Sequence, residues 1–292
     1  MTQERLNSLP EEYKDIYVKL CMQVDLDISL DSVILSKDNR AKIEDFIKET
    51  EYKEKFIEYG LKPVNRLIFY GASGTGKTYL SKALANHFGY EMLYIDIASA
   101  LRAGIAAQSI ESVFELGNYL GNCIIFLDEC DAICWARDDK DNDDDGSIRR
   151  ANNALFQQLD QMDPSCIFIS ATNLYDNLDP AFVRRFNTPM EFFRPPLSDL
   201  DSTINKFLLP KFEYEMDLQK DIKEIILFHA RTYTGLSYYG IKDWVERAEK
   251  DALIHDTNVV KESMVFSYFM QAMRIKIGED GRGKPALYQY SE

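Results

Sequence analysis

A chain of 292 residues and 33.8 kDa is long enough for one large or two modest domains with a sizeable core, which excludes a disulfide-stapled mini-protein. Hydrophobic residues make up 46% and charged residues 28%, ordinary globular usage that excludes wholesale disorder. Lys plus Arg number 34 against 48 Asp plus Glu, a net charge of −14 that repels phosphate backbones and anionic membranes, and no local basic patch interrupts it.

The opening stretch, MTQERLNSLPEEYKD, is polar and acidic and does not read as a signal peptide. No apolar run approaches the roughly 18 residues of a membrane helix, so a cytoplasmic protein without membrane contact is expected. Five cysteines (Cys21, Cys123, Cys130, Cys134 and Cys166) are an odd, scattered set that suggests reduced thiols. Cys130 and Cys134 lie close together, but none of the three histidines (His87, His229, His255) is near, and no zinc site is expected.

Within residues 1–30, Tyr13, Ile16, Tyr17 and Leu20 fall at helical spacing and predict a short helical extension. A helix-like pattern with Ile43, Phe46 and Ile47 on one face follows, ended by Gly60 and Pro63. Apolar runs then alternate with helical stretches: RLIFYG (66–71), a helix from Gly76, EMLYIDI (91–97), a helix from about Gln108, CIIFLDE (123–129), a helix from about Ser147, CIFISATN (166–173) and PMEFF (189–193). Near-continuous apolar strands between helices predict an α/β domain over 31–194, its parallel sheet covered by helices on both faces. After Arg194-Pro195-Pro196 the texture becomes amphipathic and helical with no convincing strand, predicting a small all-α domain over 195–276 and a tail over 277–292. The run DDKDNDDDG (138–146) holds six aspartates and reads as a solvated loop.

Gly71-Ala72-Ser73-Gly74-Thr75-Gly76-Lys77-Thr78 fits G-x-x-x-x-G-K-[ST], directly after a strand and at the start of a helix. Glycines let backbone N–H groups curl around phosphate oxygens, and the helix N-terminus favours the anion. The lysine reaches the β- and γ-phosphates, and the Thr78 hydroxyl meets Mg²⁺. Fifty residues on, Ile124–Leu127 ends in Asp128 and Glu129: the first is placed to hold Mg²⁺ and the second to polarise an attacking water. A further strand ends in Ser170-Ala171-Thr172-Asn173, putting a neutral amide where it can orient that water.

These three strand ends resemble the AAA+ ATPases, and within them the AAA branch: GASGTGKT matches Walker A, IIFLDE Walker B, and SATN carries the sensor 1 asparagine at Asn173. The resemblance implies a P-loop ATPase domain with a helical lid, ATP and Mg²⁺ as cofactors, and nucleotide contacts from Gly71, Ser73, Gly74, Thr75, Gly76, Lys77, Thr78, Tyr79 and Asp128, with Thr78 and Asp128 at the metal. Leu178–Phe186 (LDPAFVRRF) is similar to the segment whose arginines, here Arg184 and Arg185, act as fingers on the neighbouring subunit's γ-phosphate. The stretch from Arg150 to Leu155, continuing to Leu159 and Asp160, is similar to the helix after Walker B, and Thr234-Gly235-Leu236-Ser237 to the start of the sensor 2 region.

A finger supplied in trans implies head-to-tail neighbours closing into a ring. By resemblance this is a homohexamer that remodels a protein substrate, directly or through an adaptor. Two departures bear on that expectation. Arg102 takes the aromatic position in the pore-loop stretch Ser99–Ile105, leaving Leu101 and Ile105 to grip, and Tyr238-Tyr239 replaces a small Gly-Ala pair after Ser237. The first departure favours an alternative, an ATP-controlled assembly switch or scaffold that recruits a partner without threading it. A DNA-associated motor is the third reading, set against the charge of −14.

Overall fold

The computed structural model describes residues 3–22, 25–135, 146–230, 233 and 235–278. The acidic run over 138–145, Thr234 and most of the expected tail lie outside the described residues. By backbone contacts the chain divides into two units, residues 1–72 with 76–192, and residues 73–75 with 193–292.

In the first unit, helices α1 (Gln3–Ser8) and α2 (Glu11–Leu20) lead into the two-residue strand β1 (Cys21–Met22). Helices α3 (Lys37–Glu51) and α4 (Lys53–Glu58) follow, then β2 (Arg66–Gly71), α5 (Lys77–Phe88), β3 (Glu91–Ile95), α6 (Ile97–Arg102), α7 (Ala106–Leu120) and β4 (Cys123–Leu127). Beyond residues 136–145, which lie outside the described residues, come α8 (Gly146–Gln161), β5 (Ile167–Thr172), α9 (Pro180–Val183) and β6 (Thr188–Phe192). The sheet order is β1-β3-β4-β5-β2-β6, with the last five strands parallel and β1 antiparallel on the edge. The five parallel strands are those expected from the apolar runs. The N-terminal segment is more than an extension, because Cys21 and Met22 pair with Ile95 and Tyr94. A two-residue strand is too short to leave an alternation in the sequence, so this edge was not foreseen.

Alternate residues of each strand face opposite ways and feed two cores. Ile68, Leu93, Ile125 and Phe168 pack with Val113 and Phe114 of α7, Leu155 of α8 and Tyr17 of α2. Leu67, Phe69, Phe126 and Ile169 pack with Ile43 and Phe46 of α3 and with Leu80 and Leu84 of α5. Each fully buried side chain of this size contributes about 1.5–3 kcal/mol of burial. Strands covered on both faces can be apolar at nearly every position, which is why the runs carry so few polar residues.

The second unit contains α10 (Leu200–Phe207), β7 (Glu213–Glu215), α11 (Lys220–Ala230), α12 (Tyr238–Ile254), β8 (Val259–Lys261) and α13 (Glu262–Gly278). Its core gathers Leu200, Ile204, Ile241, Trp244, Val245, Phe266 and Phe269. Ser237 caps α12, its hydroxyl accepting the Gly240 N–H at 3.1 Å. The unit is helical apart from β7 and β8, which pair in parallel over three residues each, Tyr214 opposite Val260. Strands of three residues are too short to show a period of two in the sequence, so the pair departs from the all-α expectation.

Candidate functional site

Strands β4, β5 and β2 are neighbours, so Asp128, Asn173 and the loop from Gly71 to Thr78 leave the sheet side by side at one end, where parallel sheets bind ligands. Gly76 opens α5 in the left-handed region at φ 105°, and Gly74 has φ 73°. These turns aim the first-turn N–H groups of α5, those of Lys77, Thr78 and Tyr79, toward the loop. Ser73–Thr75 belong by contact to the second unit, where the Tyr239 N–H donates to the Gly74 carbonyl at 3.2 Å.

Lys77 is buried, and its ammonium donates to the carbonyls of Gly71 (2.7 Å) and Ala72 (2.9 Å) and to Oδ1 of Asn173 (2.8 Å). Burial pulls its pKa below the usual lysine value, while Asp128 and Asp131 pull it back up. The three acceptors use all three ammonium hydrogens, so the lysine lies preformed across the loop. Asn173, expected from the sequence at a water, is thus also the residue that tethers the lysine from the next strand.

Thr78 donates its hydroxyl to Asp128 Oδ2 at 2.9 Å, uniting the two expected metal residues. A second hydroxyl, Tyr94 from β3, donates to the same oxygen at 3.2 Å, and the Glu129 N–H donates to Asp128 Oδ1 at 3.0 Å. Burial first, and then Asp128, push the Tyr94 phenol above its usual pKa, which keeps it a donor. Glu129 is exposed and holds φ 51°, a left-handed conformation that a glutamate rarely adopts and that costs about 1–3 kcal/mol. Beside it, Thr172 donates to Asp131 Oδ1 at 2.5 Å. Neither Tyr94 nor the Thr172–Asp131 pair is marked in the sequence, because a tyrosine or threonine in an apolar strand is indistinguishable from core there. Tyr79 packs against the second core and shares a hydrogen bond of 3.0 Å with the Ser32 hydroxyl, so its ring is engaged within the fold.

The two arginines part company. Asp179 caps α9 through the Ala181 N–H (2.7 Å), Phe182 and Phe186 are buried, and Arg184 is exposed with no side-chain partner among the described residues. Arg185 is half-buried and lies on Asp160 with Nε (3.0 Å) and Nη2 (2.9 Å). In the stretch Ser99–Ile105, exposed Arg102 donates to its own helix at Ser99 Oγ (2.7 Å), Leu101 packs against the first core, and Ile105 is exposed. Tyr238 is half-buried and Tyr239 exposed. Among the described residues no helix is long and apolar enough to cross a membrane.

Residues 67–194 match the model of the ATPase family associated with various cellular activities (AAA). Among curated proteins, the chain is 30% identical over 289 residues to a proteasome-activating nucleotidase of Methanopyrus kandleri, covering 96% of this chain and 64% of that protein. It is 36% identical over 168 residues to the ATP-dependent zinc metalloprotease FtsH 1 of Alkaliphilus metalliredigens, covering 56% of this chain and 28% of the relative. Against 26S proteasome regulatory subunit 7 of Caenorhabditis elegans the identity is 30% over 204 residues, covering 67% and 46%. The chain therefore spans from 28% to 64% of the lengths of these relatives. A glycine-containing loop, a buried lysine, a paired Thr78 and Asp128 and a strand-end asparagine, together with this match, mean that residues 67–194 form an ATPase domain of the AAA family.

Proposed function

We propose that the protein binds ATP with Mg²⁺ and hydrolyses it within a homohexameric ring that remodels a protein substrate. The observation that carries the nucleotide part is the 2.9 Å hydrogen bond between Thr78 and Asp128, which joins the loop to the acid fifty residues on. A hydroxyl and a carboxylate are hard oxygen donors, suited to a cation that keeps several waters and shares a nucleotide's phosphates. When bound, Mg²⁺ neutralises charge on the β- and γ-phosphates.

Lys77 meets the same phosphates, and to do so exchanges at least one of its present acceptors. Exchanging Asn173 frees that amide for the attacking water, which Glu129 polarises by accepting a hydrogen bond. Arg184, exposed on its short helix, is the finger offered to the next subunit. Coupling ATP to work on a protein follows the relatives named as a proteasome-activating nucleotidase and an ATP-dependent zinc metalloprotease. The proposed division is an ATPase domain over 31–194 and a lid over 195–276, in a cytoplasmic setting.

Glu129→Gln tests the reading, since it keeps the site's shape and removes the carboxylate. Hydrolysis is expected to stop while ATP still binds, and light scattering after gel filtration is expected to move from one 33.8 kDa chain to about six on adding ATP and Mg²⁺. A monomer under both conditions overturns the ring. Arg102 favours the second reading, a switch that assembles without threading, because a charged side chain bonded to its own helix is a poor clamp on passing polypeptide. If Arg102→Ala leaves substrate processing intact while ring assembly still requires ATP, the switch is the better account.

Tyr94→Phe removes one donor from Asp128 and keeps the ring. A neutral hydrogen bond is worth about 0.5–1.5 kcal/mol, so Mg²⁺-dependent binding of a fluorescent ATP analogue is expected to weaken by roughly threefold to tenfold. Binding without Mg²⁺ is expected to hold. Equal losses with and without Mg²⁺ would place the role of Tyr94 in the fold.

A further inference from the structure

We infer that Arg185 is a positioning residue, held by Asp160 to present Arg184, rather than a second finger. The inference rests on Arg184 acting on a neighbour's phosphate as proposed above. Three of the five N–H donors of Arg185 are committed within its own chain. Nε and Nη2 form a two-pronged bridge to Oδ1 and Oδ2 of Asp160 at 3.0 and 2.9 Å, and Nη1 donates to the Ala181 carbonyl at 2.8 Å. The guanidinium carbon also lies 4.4 Å from the centre of the Phe156 ring, a cation–π contact.

These four contacts tie α9 to α8. Phe156 and Asp160 are four apart on α8 and so share one face, and Ala181 is the second residue of α9. A four-residue helix does not fix its own orientation, because helix formation begins with a costly first turn. Phe182 and Phe186 anchor the inner side of the segment in the first core. On its outer side the Asp160–Arg185–Phe156 stack fixes the angle at which the preceding residue, Arg184, leaves the surface. Asp160 is more than half exposed, so this bridge adds little to fold stability and its value lies in geometry. Swinging Arg185 out to a neighbour would break all four contacts, whereas Arg184 has none to break among the described residues.

The experiment measures ATP hydrolysis and fluorescent ATP analogue binding on the ring-forming 292-residue chain with Arg184→Ala, Arg185→Ala and Asp160→Ala, singly and in pairs. Arg184→Ala is expected to lower kcat by about 10³-fold or more, as loss of a finger does. Arg185→Ala and Asp160→Ala are each expected to lower kcat by about tenfold, with ATP affinity and thermal midpoint held. Their double variant is expected to be no worse than either single, and neither is expected to lower kcat further once Arg184 is alanine. A purely structural pair would not give that last result.

The inference is overturned if Arg185→Ala costs as much as Arg184→Ala while Asp160→Ala keeps full kcat. It is equally overturned if the Arg184 and Arg185 losses multiply. Where Arg185→Ala does not fold, Arg185→Lys, which keeps the charge and loses the fork, replaces it with the same criteria. An Arg184→Ala chain at full kcat overturns the finger reading itself, a separate result.

Discussion

Lys77→Met is expected to abolish useful nucleotide binding while leaving a folded protein. The ammonium lies buried at the start of α5 with three acceptors, poised between the loop and Asn173. Charge-assisted hydrogen bonds contribute about 1.5–3 kcal/mol each. Losing two of them to phosphate oxygens weakens binding by about 3–6 kcal/mol, which is two to four orders of magnitude. Methionine fills the space of the lysine stem with an apolar, flexible chain. Folding loses three hydrogen bonds but also sheds a desolvated charge, whose cost the lowered lysine pKa records. The unfolding midpoint is therefore expected to move by less than about 5 °C. Titration of a fluorescent ATP analogue, alongside thermal unfolding, reads both. Affinity within threefold of the parent chain would remove Lys77 from the phosphate site.

The lysine also illustrates why the nucleotide loop was legible and its surroundings were not. Gly71 to Thr78 is a contiguous stretch whose chemistry depends on backbone geometry and two side chains, all written in eight letters. Asp128 and Asn173 stand out in the sequence because each directly follows an apolar strand in a chain that also carries the glycine-lysine loop. Tyr94 carries no such mark. It sits in a strand whose neighbours are all apolar, and its role emerges only from the register that sets it opposite Phe126, one strand from Asp128. Asp160 is similar: the resemblance places it in the helix after Walker B, but its partner Arg185 is apparent only from the return of the chain after α9 beside it. The edge strand β1 and the pair β7 and β8 were missed for a different reason. Two or three residues contain less than one repeat of alternation, and their pairing is decided by tertiary contact. Arg184 and Arg185 show the reverse case, where a two-letter motif suggests equivalent roles and packing separates them.

Gly71→Ala is expected to damage the fold more than any other single change in the loop. Gly71 ends β2 at φ 131°, a conformation that L side chains rarely adopt. A Cβ there would lie 2.1 Å from the Phe192 carbonyl oxygen and 3.0 Å from its carbon. Those atoms are backbone, and Phe192 is the register partner of Gly71 in β6, so neither side can yield without opening the sheet edge. Backbone strain of about 1–3 kcal/mol and overpacking of about 1–3 kcal/mol combine to roughly 2–6 kcal/mol. The unfolding midpoint then falls by about 5–20 °C. Gly76→Ala separates the two causes: φ is 105° there and nothing lies within 4 Å of the added carbon, so only the conformational strain applies. Its midpoint is expected to fall by about half as much or less. Equal shifts for the two variants would mean that Phe192 does not constrain this position, and that the first glycine of the loop is required for its dihedral angle alone. A larger loss at Gly71 makes the close approach of β6 the reason, with a functional corollary. The Gly71 carbonyl accepts from Lys77, so moving this strand end also displaces the ammonium proposed to meet the nucleotide.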